Sequence, residues 1–544
     1  MTFTRGEVKI DRQFEMAAWL LRRHTEIESW RLLMDRKKNA ARNVGTSIAG
    51  QLLNNLLRFV CRTVFVYTLG KEFLGISSLY TNILSLLSIS ELGFASAVTF
   101  SLYKPLAENN QPLICAYMNF YKKAYRVIGI VIFLAGLCLL PFLPNLMTGV
   151  TDKVNIYEYY LLYLIQTVVS YLFFAYKATL LDADQKKYIS DIVTYICQIL
   201  MNVVQIVILV VWRSFLAYTI TSIFSNILIN AVISMIVDRK YPYLRQKAPA
   251  LEPKEKKNLF SRIYAMALYK VSNAVGSATD NLIISSFISV VMVGIYNNYY
   301  LVIQTIQTVL SEAFNAVTAS LGNKYVLDSK EHNEYTFRCL NLLNNMLVAV
   351  CAVCFMVLFQ PFIILWLGRD YLLDRTVLII IVLNFATNYM QLTTNIYRQA
   401  SGVFVQGKYR AVANAVLNLV ISIVLVKQIG LAGVFLGSIV SRVLTITWYD
   451  PWLLYTKGFG KSPISFYLNY LICLGISAGC SFFMVRLPLG VPAVSWVGLV
   501  VRGVLSIAVT LGSYWLVYGR TEEYHYLTDL VQKTVKRKLK RRKR

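Results

Sequence analysis

The stretch from Val44 to Tyr67, VGTSIAGQLLNNLLRFVCRTVFVY, decides the fold class because it is long and apolar enough to be a membrane-spanning helix. Its only charges are Arg58 and Arg62, which share one helix face because they are four residues apart. A cation at membrane depth costs at least ~3 kcal/mol on insertion scales and usually faces a bundle interior or a wet cavity. The arginine pair therefore predicts a polar lumen for an anionic ligand.

The rest of the chain continues this apolar pattern. Its 544 residues are 56% hydrophobic and only 15% charged, with a mean hydropathy of +0.52, whereas soluble proteins carry about 25% charge. Apolar runs of about 20 residues recur, and each can cross ~30 Å of hydrocarbon as a helix. The sequence predicts an all-α polytopic membrane protein with about fourteen spans, twelve or thirteen being alternatives. The predicted spans are 45–67, 75–101, 122–144, 157–181, 188–211, 214–237, 263–288, 292–317, 337–364, 375–397, 409–428, 431–452, 465–486 and 493–518.

The net charge of +27 does not indicate nucleic-acid binding. Lysines and arginines concentrate in alternate loops, as the positive-inside rule requires, and this places both termini in the cytoplasm. Residues 1–44 form a cytoplasmic N-terminal segment, within which Met34 is an alternative start. Residues 519–544 form a polybasic cytoplasmic tail, expected on anionic inner-leaflet lipid or disordered.

Two similar strings recur at a spacing of about 220 residues, which indicates an internal repeat. LGISSLY at 74–80 matches VGIYNNY at 293–299, which pairs Gly75 with Gly294, and SELGFASAVTFSL at 90–102 matches SEAFNAVTASL at 311–321. The repeat unit is six spans, so both copies have the same orientation and the pseudo-two-fold axis runs along the membrane normal. The predicted domains are an N-lobe at 45–237, a basic linker at 238–262, a C-lobe at 263–452 and two further helices at 453–518.

Charged residues at predicted membrane depth define the candidate site. The repeat places Arg62 of span one opposite Asp280 of span seven, whereas Lys270 lies nearer the cytoplasm. Glu91 and Glu312 lie on spans two and eight, toward the cytoplasmic half.

One interpretation is a cavity between the lobes in which Arg58, Arg62 and Lys270 bind an anionic headgroup, since guanidinium forks suit phosphate oxygens. Asp280 then balances the cations, or takes up the proton or cation that drives the cycle. The alternative is a structural ion pair between Arg62 and Asp280. The two glutamates either couple to ions or hydrogen-bond neighbouring helices where small residues allow close approach.

The sequence indicates no cofactor. The three histidines, His24, His332 and His525, all lie outside the predicted spans, which disfavours a metal site. Residues 402–409 imitate a nucleotide-binding phosphate loop but end in Tyr409, where a hydroxyl of Ser or Thr would have to meet Mg²⁺.

The arginine pair, the strings LGISSLY…SELGFASAVTFSL and TDNLIIS…VGIYNNY, and the six-plus-six repeat together resemble bacterial polysaccharide flippases of the Wzx type. These belong to the multidrug/oligosaccharidyl-lipid/polysaccharide (MOP) exporter superfamily. The resemblance covers about residue 40 to 520. It implies a transporter, not an enzyme, in the bacterial cell membrane.

The resemblance further implies that the protein moves an undecaprenyl-diphosphate-linked oligosaccharide from the inner to the outer leaflet, for capsule, exopolysaccharide or O-antigen synthesis. The diphosphate would bind Arg58, Arg62 and Lys270 while the lobes alternate in access. Membrane lipids, a polysaccharide polymerase and chain-length machinery would be its partners.

Other functions stay open at this stage. An ion-coupled drug or metabolite antiporter of the same superfamily would be expected to use lumen carboxylates, and here cations are at least as prominent. A flippase for the lipid-linked peptidoglycan precursor is expected to have a similar fold and a similar arrangement of charges. A membrane glycosyltransferase usually carries a sizeable outer loop, which this chain lacks, and a scaffold would not need buried arginines.

Overall fold

The computed structural model describes residues 50–51, 53–88, 94–148, 155–173, 175–246, 249–327, 329–400, 408–488, 490–529 and 532. For residues 261–262, 264–278, 315–327, 399–400, 408–409 and 411 it describes the backbone alone. The N-terminal segment at 1–44, the end of the tail and residues 402–407 of the imitation phosphate loop therefore lie outside the described residues. Helices joined by short turns make up the described chain, which contains no strand there. The all-α prediction is confirmed.

Eight helices lie in the described part of the chain that the repeat predicts as the N-lobe. They are α1 (53–87), α2 (Phe94–Ala107), α3 (Gln111–Cys138), α4 (Leu143–Leu146), α5 (Ile156–Leu172), α6 (Ala178–Ala183), α7 (Lys187–Val211) and α8 (Phe215–Lys240). In this described part of the chain, the 3₁₀ turn Leu140–Phe142 precedes α4, a second, Ala175–Lys177, precedes α6, and a third, Pro242–Arg245, follows α8.

The C-lobe and the added helices follow the linker. They are α9 (Pro253–Phe287), α10 (Val290–Leu327), α11 (Lys330–Trp366), α12 (Arg375–Tyr389), α13 (Leu392–Ala400), α14 (Lys408–Ile429), α15 (Leu431–Arg442), α16 (Tyr449–Leu453), α17 (Ile464–Arg486) and α18 (Trp496–Tyr518). The π-helical turns Val443–Thr447 and Leu454–Phe459 flank α16.

Local signals set the helix ends. The side chains of Asn110 and Ser329 accept the backbone N–H groups of Leu113 and His332, which caps α3 and α11. Gly70 adopts the left-handed φ of 84° within α1, between the predicted first and second spans, a conformation that favours glycine.

Nine helices in the described part of the chain are long and apolar enough to cross a membrane, or ten if the bent pair α5–α6 is one span. The protein is thus a multi-pass membrane protein. The count of fourteen spans is not confirmed by these residues and stays a prediction.

Two spans that the sequence predicts as continuous are broken, and they are equivalent in the repeat. The predicted fourth span breaks between α5 and α6 with a bend of 45°, and the predicted tenth span breaks between α12 and α13. Side chains from other helices bind the carbonyls freed at the second break: Asn344 Nδ2 donates to the Tyr389 oxygen at 2.8 Å. Such partners make a helix break tolerable at membrane depth.

An equivalent ion pair follows each break. In the N-lobe, Lys177 Nζ lies 2.6 Å from Asp238 Oδ1 and donates to Ser234 Oγ at 2.7 Å. In the C-lobe, Arg398 Nη1 lies 2.7 Å and Arg410 Nη1 2.5 Å from the carboxylate of Asp450, which is only 1% exposed. Each pair fixes the segment after the break to a later helix of its own lobe.

We expect Asp450→Asn to lower the free energy of unfolding by about 3–5 kcal/mol, because it leaves two buried guanidinium groups without their carboxylate. Thermal unfolding of the detergent-purified protein measures this. Asp370→Asn is the matched control, since Asp370 is exposed and its loss should stay within about 0.5 kcal/mol. Equal stability of the two variants would contradict a structural role for the buried cluster.

Candidate functional site

The two lobes meet in a seam at the membrane side opposite the linker, here called the far side; the other side is the linker side. At the seam Gly75 of α1 and Gly294 of α10, the pair matched by the repeat, pack backbone against backbone. A Cβ on Gly75 would lie 2.0 Å from the Val290 carbonyl oxygen, and one on Gly294 would lie 2.6 Å from the Lys71 oxygen. Only glycine permits this close approach.

Further contacts extend the seam. Thr148 Oγ1 of the N-lobe donates to the Ser285 carbonyl at 2.6 Å, and Val290 N donates to the Thr148 oxygen at 3.0 Å. Trp366, at the end of α11, stacks on Phe59 with ring centroids 4.1 Å apart. The far side of the inter-lobe space is therefore closed in this structure.

Arg62 lies at this closed end and contacts both lobes. Its Nε donates to Asn298 Oδ1 of α10 at 3.1 Å. Tyr163 and Tyr218 of its own lobe lie within electrostatic range of the guanidinium. The arginine of span one is thus held between the lobes and does not extend toward lipid.

Buried donors without an acceptor accumulate around Arg62. In the described residues, Arg62 Nη2, Asn298 Nδ2 and Asn297 Nδ2 are buried and have no hydrogen-bond partner. A buried donor without a partner costs about 1–3 kcal/mol, more when it is charged. Three buried donors, one of them on a guanidinium cation, suit an acceptor-rich anion such as a phosphate with its sugar.

Arg58 lies one helical turn toward the linker side on the same face and is exposed. The apolar residues Leu53, Leu56 and Val60, also exposed, lie on a different face of α1 and suit lipid. We place Arg58 on the wall of the inter-lobe space, with Arg62 at its closed end.

Asp280 of α9 belongs to a polar cluster inside the C-lobe. Its carboxylate accepts Ser438 Oγ at 3.2 Å, and Asn418 Nδ2 donates to the same hydroxyl at 2.7 Å. Arg442 lies within electrostatic range of Asp280 and also donates to Thr387 Oγ1 at 3.2 Å. In the described residues no ion pair joins Asp280 to Arg62, so the alternative of a structural pair between them is not formed.

The other sequence-predicted site residues are placed less fully. Glu91 and the side chain of Lys270 lie outside the described residues. Glu312 is exposed on α10, within electrostatic range of Tyr195 of the N-lobe. In the described part of the chain, no three side chains of His, Cys, Asp or Glu group as metal ligands would.

The sequence profile of the family described as "Polysaccharide biosynthesis protein" matches residues 40–319, which is more than half of the chain. The chain belongs to this family. No curated protein sequence is significantly similar to it. The matched residues include the arginine pair, the seam glycines and Asn298, so the family match covers most of the candidate site.

Solved structures show the same fold. A "Lipid II flippase MurJ, inward closed conformation" has a TM-score of 0.64 at 15% identity, over 87% of this chain and 99% of its own. An inward-facing "multidrug resistance MATE family transporter of the MOP superfamily" has a TM-score of 0.59 at 13% identity, over 76% and 99%. This member of the polysaccharide biosynthesis family therefore has the fold of MOP-superfamily transporters, as the resemblance implied.

Sequence reasoning did not give several of the contacts that the fold brings to the site. Asn298 was part of a repeat string, but its contact with Arg62 across the lobes depends on packing. Ser438 and Asn418 gave no separate signal, because single polar residues in apolar spans are common. Lys177 could have been found from the repeat, because it precedes Arg398 by the same number of residues that separates the matched lysines Lys187 and Lys408.

Proposed function

We propose that the protein flips a polyprenyl-diphosphate-linked oligosaccharide, specifically an undecaprenyl-diphosphate-linked repeat unit for capsule, exopolysaccharide or O-antigen, from the inner to the outer leaflet of a bacterial cell membrane. The single observation that supports this best is the set of unpartnered donors around Arg62 at the closed end of the inter-lobe space. The linker side is the cytoplasmic side in this proposal, because the basic loops lie there.

The chemistry of the site matches a diphosphate. Arg62 presents a guanidinium whose Nη2 is free to donate, and Arg58 adds a second cation one turn closer to the entrance. Two guanidinium groups can bind adjacent phosphates through charge-assisted hydrogen bonds, each contributing about 1.5–3 kcal/mol. The amides of Asn297 and Asn298 would bind sugar or phosphate oxygens.

The seam supplies the gate. In the present structure the far side is closed by the glycine crossing and by the contact of Arg62 with Asn298. Release to the outer leaflet requires these contacts to separate, through rocking of residues 45–237 against 263–452. A bound anion that replaces Asn298 as the partner of Arg62 would remove one of the contacts that hold the far side closed.

Asp280 and its cluster are the proposed coupling site. A buried carboxylate whose hydrogen-bond partner is the neutral hydroxyl of Ser438 matches the charge of one proton or one monovalent cation. Arg442 would balance the carboxylate when the site is empty. An ion-coupled antiporter for small cations is the second candidate function, and this cluster is the observation that favours it.

Asp280→Asn should remove the dependence of transport on the driving ion gradient, because the amide keeps the size of the side chain but has no charge to balance an ion. Transport measured with and without an imposed proton or sodium gradient tests this, and we expect the gradient to accelerate wild type at least about tenfold more than the variant. Glu158→Gln, on the N-lobe α5, is the matched control. Wild-type gradient dependence in Asp280→Asn would exclude this cluster as the coupling site.

A deletion strain tests the flippase assignment. Without the protein, lipid-linked repeat units should accumulate on the inner leaflet, and complementation with the full chain should clear them. Sensitivity of the accumulated glycan to an external glycosidase reports the leaflet. Normal lipid-linked glycan in the deletion strain, together with lost resistance to a cationic drug, would favour the antiporter.

A further inference from the structure

A second cavity, separate from the inter-lobe space, lies on the linker side of the N-lobe. Its volume is about 320 Å³, and its walls come from α3, the 3₁₀ turn Ala175–Lys177, the end of α8 and the beginning of the linker. Lys122, Lys177 and Arg245 line it, together with the amides of Asn119 and Gln246. Nothing in the proposed transport cycle uses these residues.

The cavity carries an excess of positive charge. Its only carboxylate in the described residues, Asp238, is bound by Lys177 through both oxygens at 2.6 and 2.7 Å. Neither Lys122 nor Arg245 forms an ion pair with any described carboxylate. Two cations and two amide side chains therefore surround a space with room for a phosphate group, whose several acceptor oxygens they can bind.

The outer face of α3 indicates where this phosphate comes from. Lys122, Arg126, Ile130 and Leu134 follow each other at four-residue intervals and share one face. Ile130 and Leu134 are 54% and 56% exposed, and the row spans ~18 Å at 1.5 Å per residue. A cationic end followed by an exposed apolar strip suits a phospholipid, whose acyl chain can pack on the strip. A free phosphate has no apolar part that would contact it.

We propose that this cavity binds the headgroup of an anionic phospholipid, with one acyl chain along Ile130 and Leu134. Basic pockets at the ends of transmembrane helices bind such headgroups in general. Because Arg245 belongs to the linker and Lys122 to the N-lobe, the bound lipid fastens the beginning of the linker to that lobe.

Native mass spectrometry of the full-length protein in detergent tests this, with phosphatidylglycerol and phosphatidylcholine as probes. We expect wild type to retain phosphatidylglycerol preferentially and Lys122→Gln/Arg245→Gln to bind it at least about tenfold more weakly. The matched control, Lys123→Gln/Arg239→Gln, removes the same charge from exposed neighbours that do not line the cavity. It should bind as wild type does.

Three outcomes would overturn the proposal. Equal loss in the two double variants would mean that general surface charge, not the cavity, attracts the lipid. Displacement of phosphatidylglycerol by millimolar inorganic phosphate would make free phosphate the ligand. Failure of Lys122→Arg/Arg245→Lys to recover binding, with thermal unfolding unchanged, would exclude charge as the basis of recognition.

Discussion

Arg62→Ala should reduce translocation of the lipid-linked oligosaccharide by at least about a hundredfold. The substitution removes charge-assisted hydrogen bonds worth about 1.5–3 kcal/mol each from the closed end of the lumen, and each 1.4 kcal/mol corresponds to a factor of ten. Appearance of lipid-linked glycan on the outer leaflet of the complemented deletion strain measures the effect. Membrane levels of the variant must equal those of wild type.

Asn298→Ala distinguishes a role of Arg62 in ligand binding from a role in holding the two lobes together. It removes the acceptor that Arg62 contacts across the lobes but keeps the cation. If Arg62 binds the diphosphate, Asn298→Ala should reduce transport by only about two- to tenfold, because it removes one neutral donor worth about 0.5–1.5 kcal/mol and leaves the cation in place. Equal losses of transport in Arg62→Ala and Asn298→Ala would mean that Arg62 serves only as a contact between the lobes. Arg369→Ala, at an exposed arginine, controls for the loss of charge.

Gly75→Ala should hold the far side open. The new Cβ would lie 2.0 Å from the Val290 carbonyl oxygen, and backbone atoms at a helix crossing cannot move aside separately. Overpacking of this kind costs about 1–3 kcal/mol, enough to shift the equilibrium away from the far-side-closed state by roughly five- to 150-fold. Transport should fall at least about tenfold, because alternating access needs both states.

Labelling of a seam cysteine reports this opening. Thr63 belongs to the seam, because its Oγ1 accepts Trp366 Nε1 at 2.7 Å. Thr63→Cys, in a background with the exposed Cys138 replaced by serine, should react faster with a membrane-impermeant maleimide when Gly75 is alanine. Gly475→Ala is the matched control, since a Cβ there meets no atom within 4 Å. Unchanged labelling and transport in Gly75→Ala would show that the glycine crossing is not part of the gate.

The apolar spans could be predicted because they depend on local patterns, whereas the repeat and its two lobes stay a prediction. Twenty apolar residues in a row indicate a membrane helix wherever they occur, and the strings around Gly75 and Gly294 are similar at the level of single residues. The prediction that Arg62 faces a bundle interior depends on its spacing to Arg58 and on the cost of a cation in lipid.

The breaks and the partners could not be predicted, because they depend on residues distant in sequence. The break after Tyr389 is tolerated because Asn344, on another helix, binds the freed carbonyl. Asp280 was expected opposite Arg62 by register alone, yet its carboxylate turns into its own lobe toward Ser438. Register predicts which helices correspond, whereas rotation about the helix axis decides which side chains meet.

Reconstitution of the purified protein tests the central claim most directly. Liposomes would carry an undecaprenyl-diphosphate-linked oligosaccharide with a fluorophore on the glycan, and a membrane-impermeant reductant would report the exposed fraction over time under an imposed ion gradient. We predict that wild type moves the labelled glycan between leaflets and that Arg62→Ala behaves as protein-free liposomes do. Equal rates for wild type and protein-free liposomes, or for wild type and Arg62→Ala, would contradict transport of a diphosphate-linked glycan past Arg62.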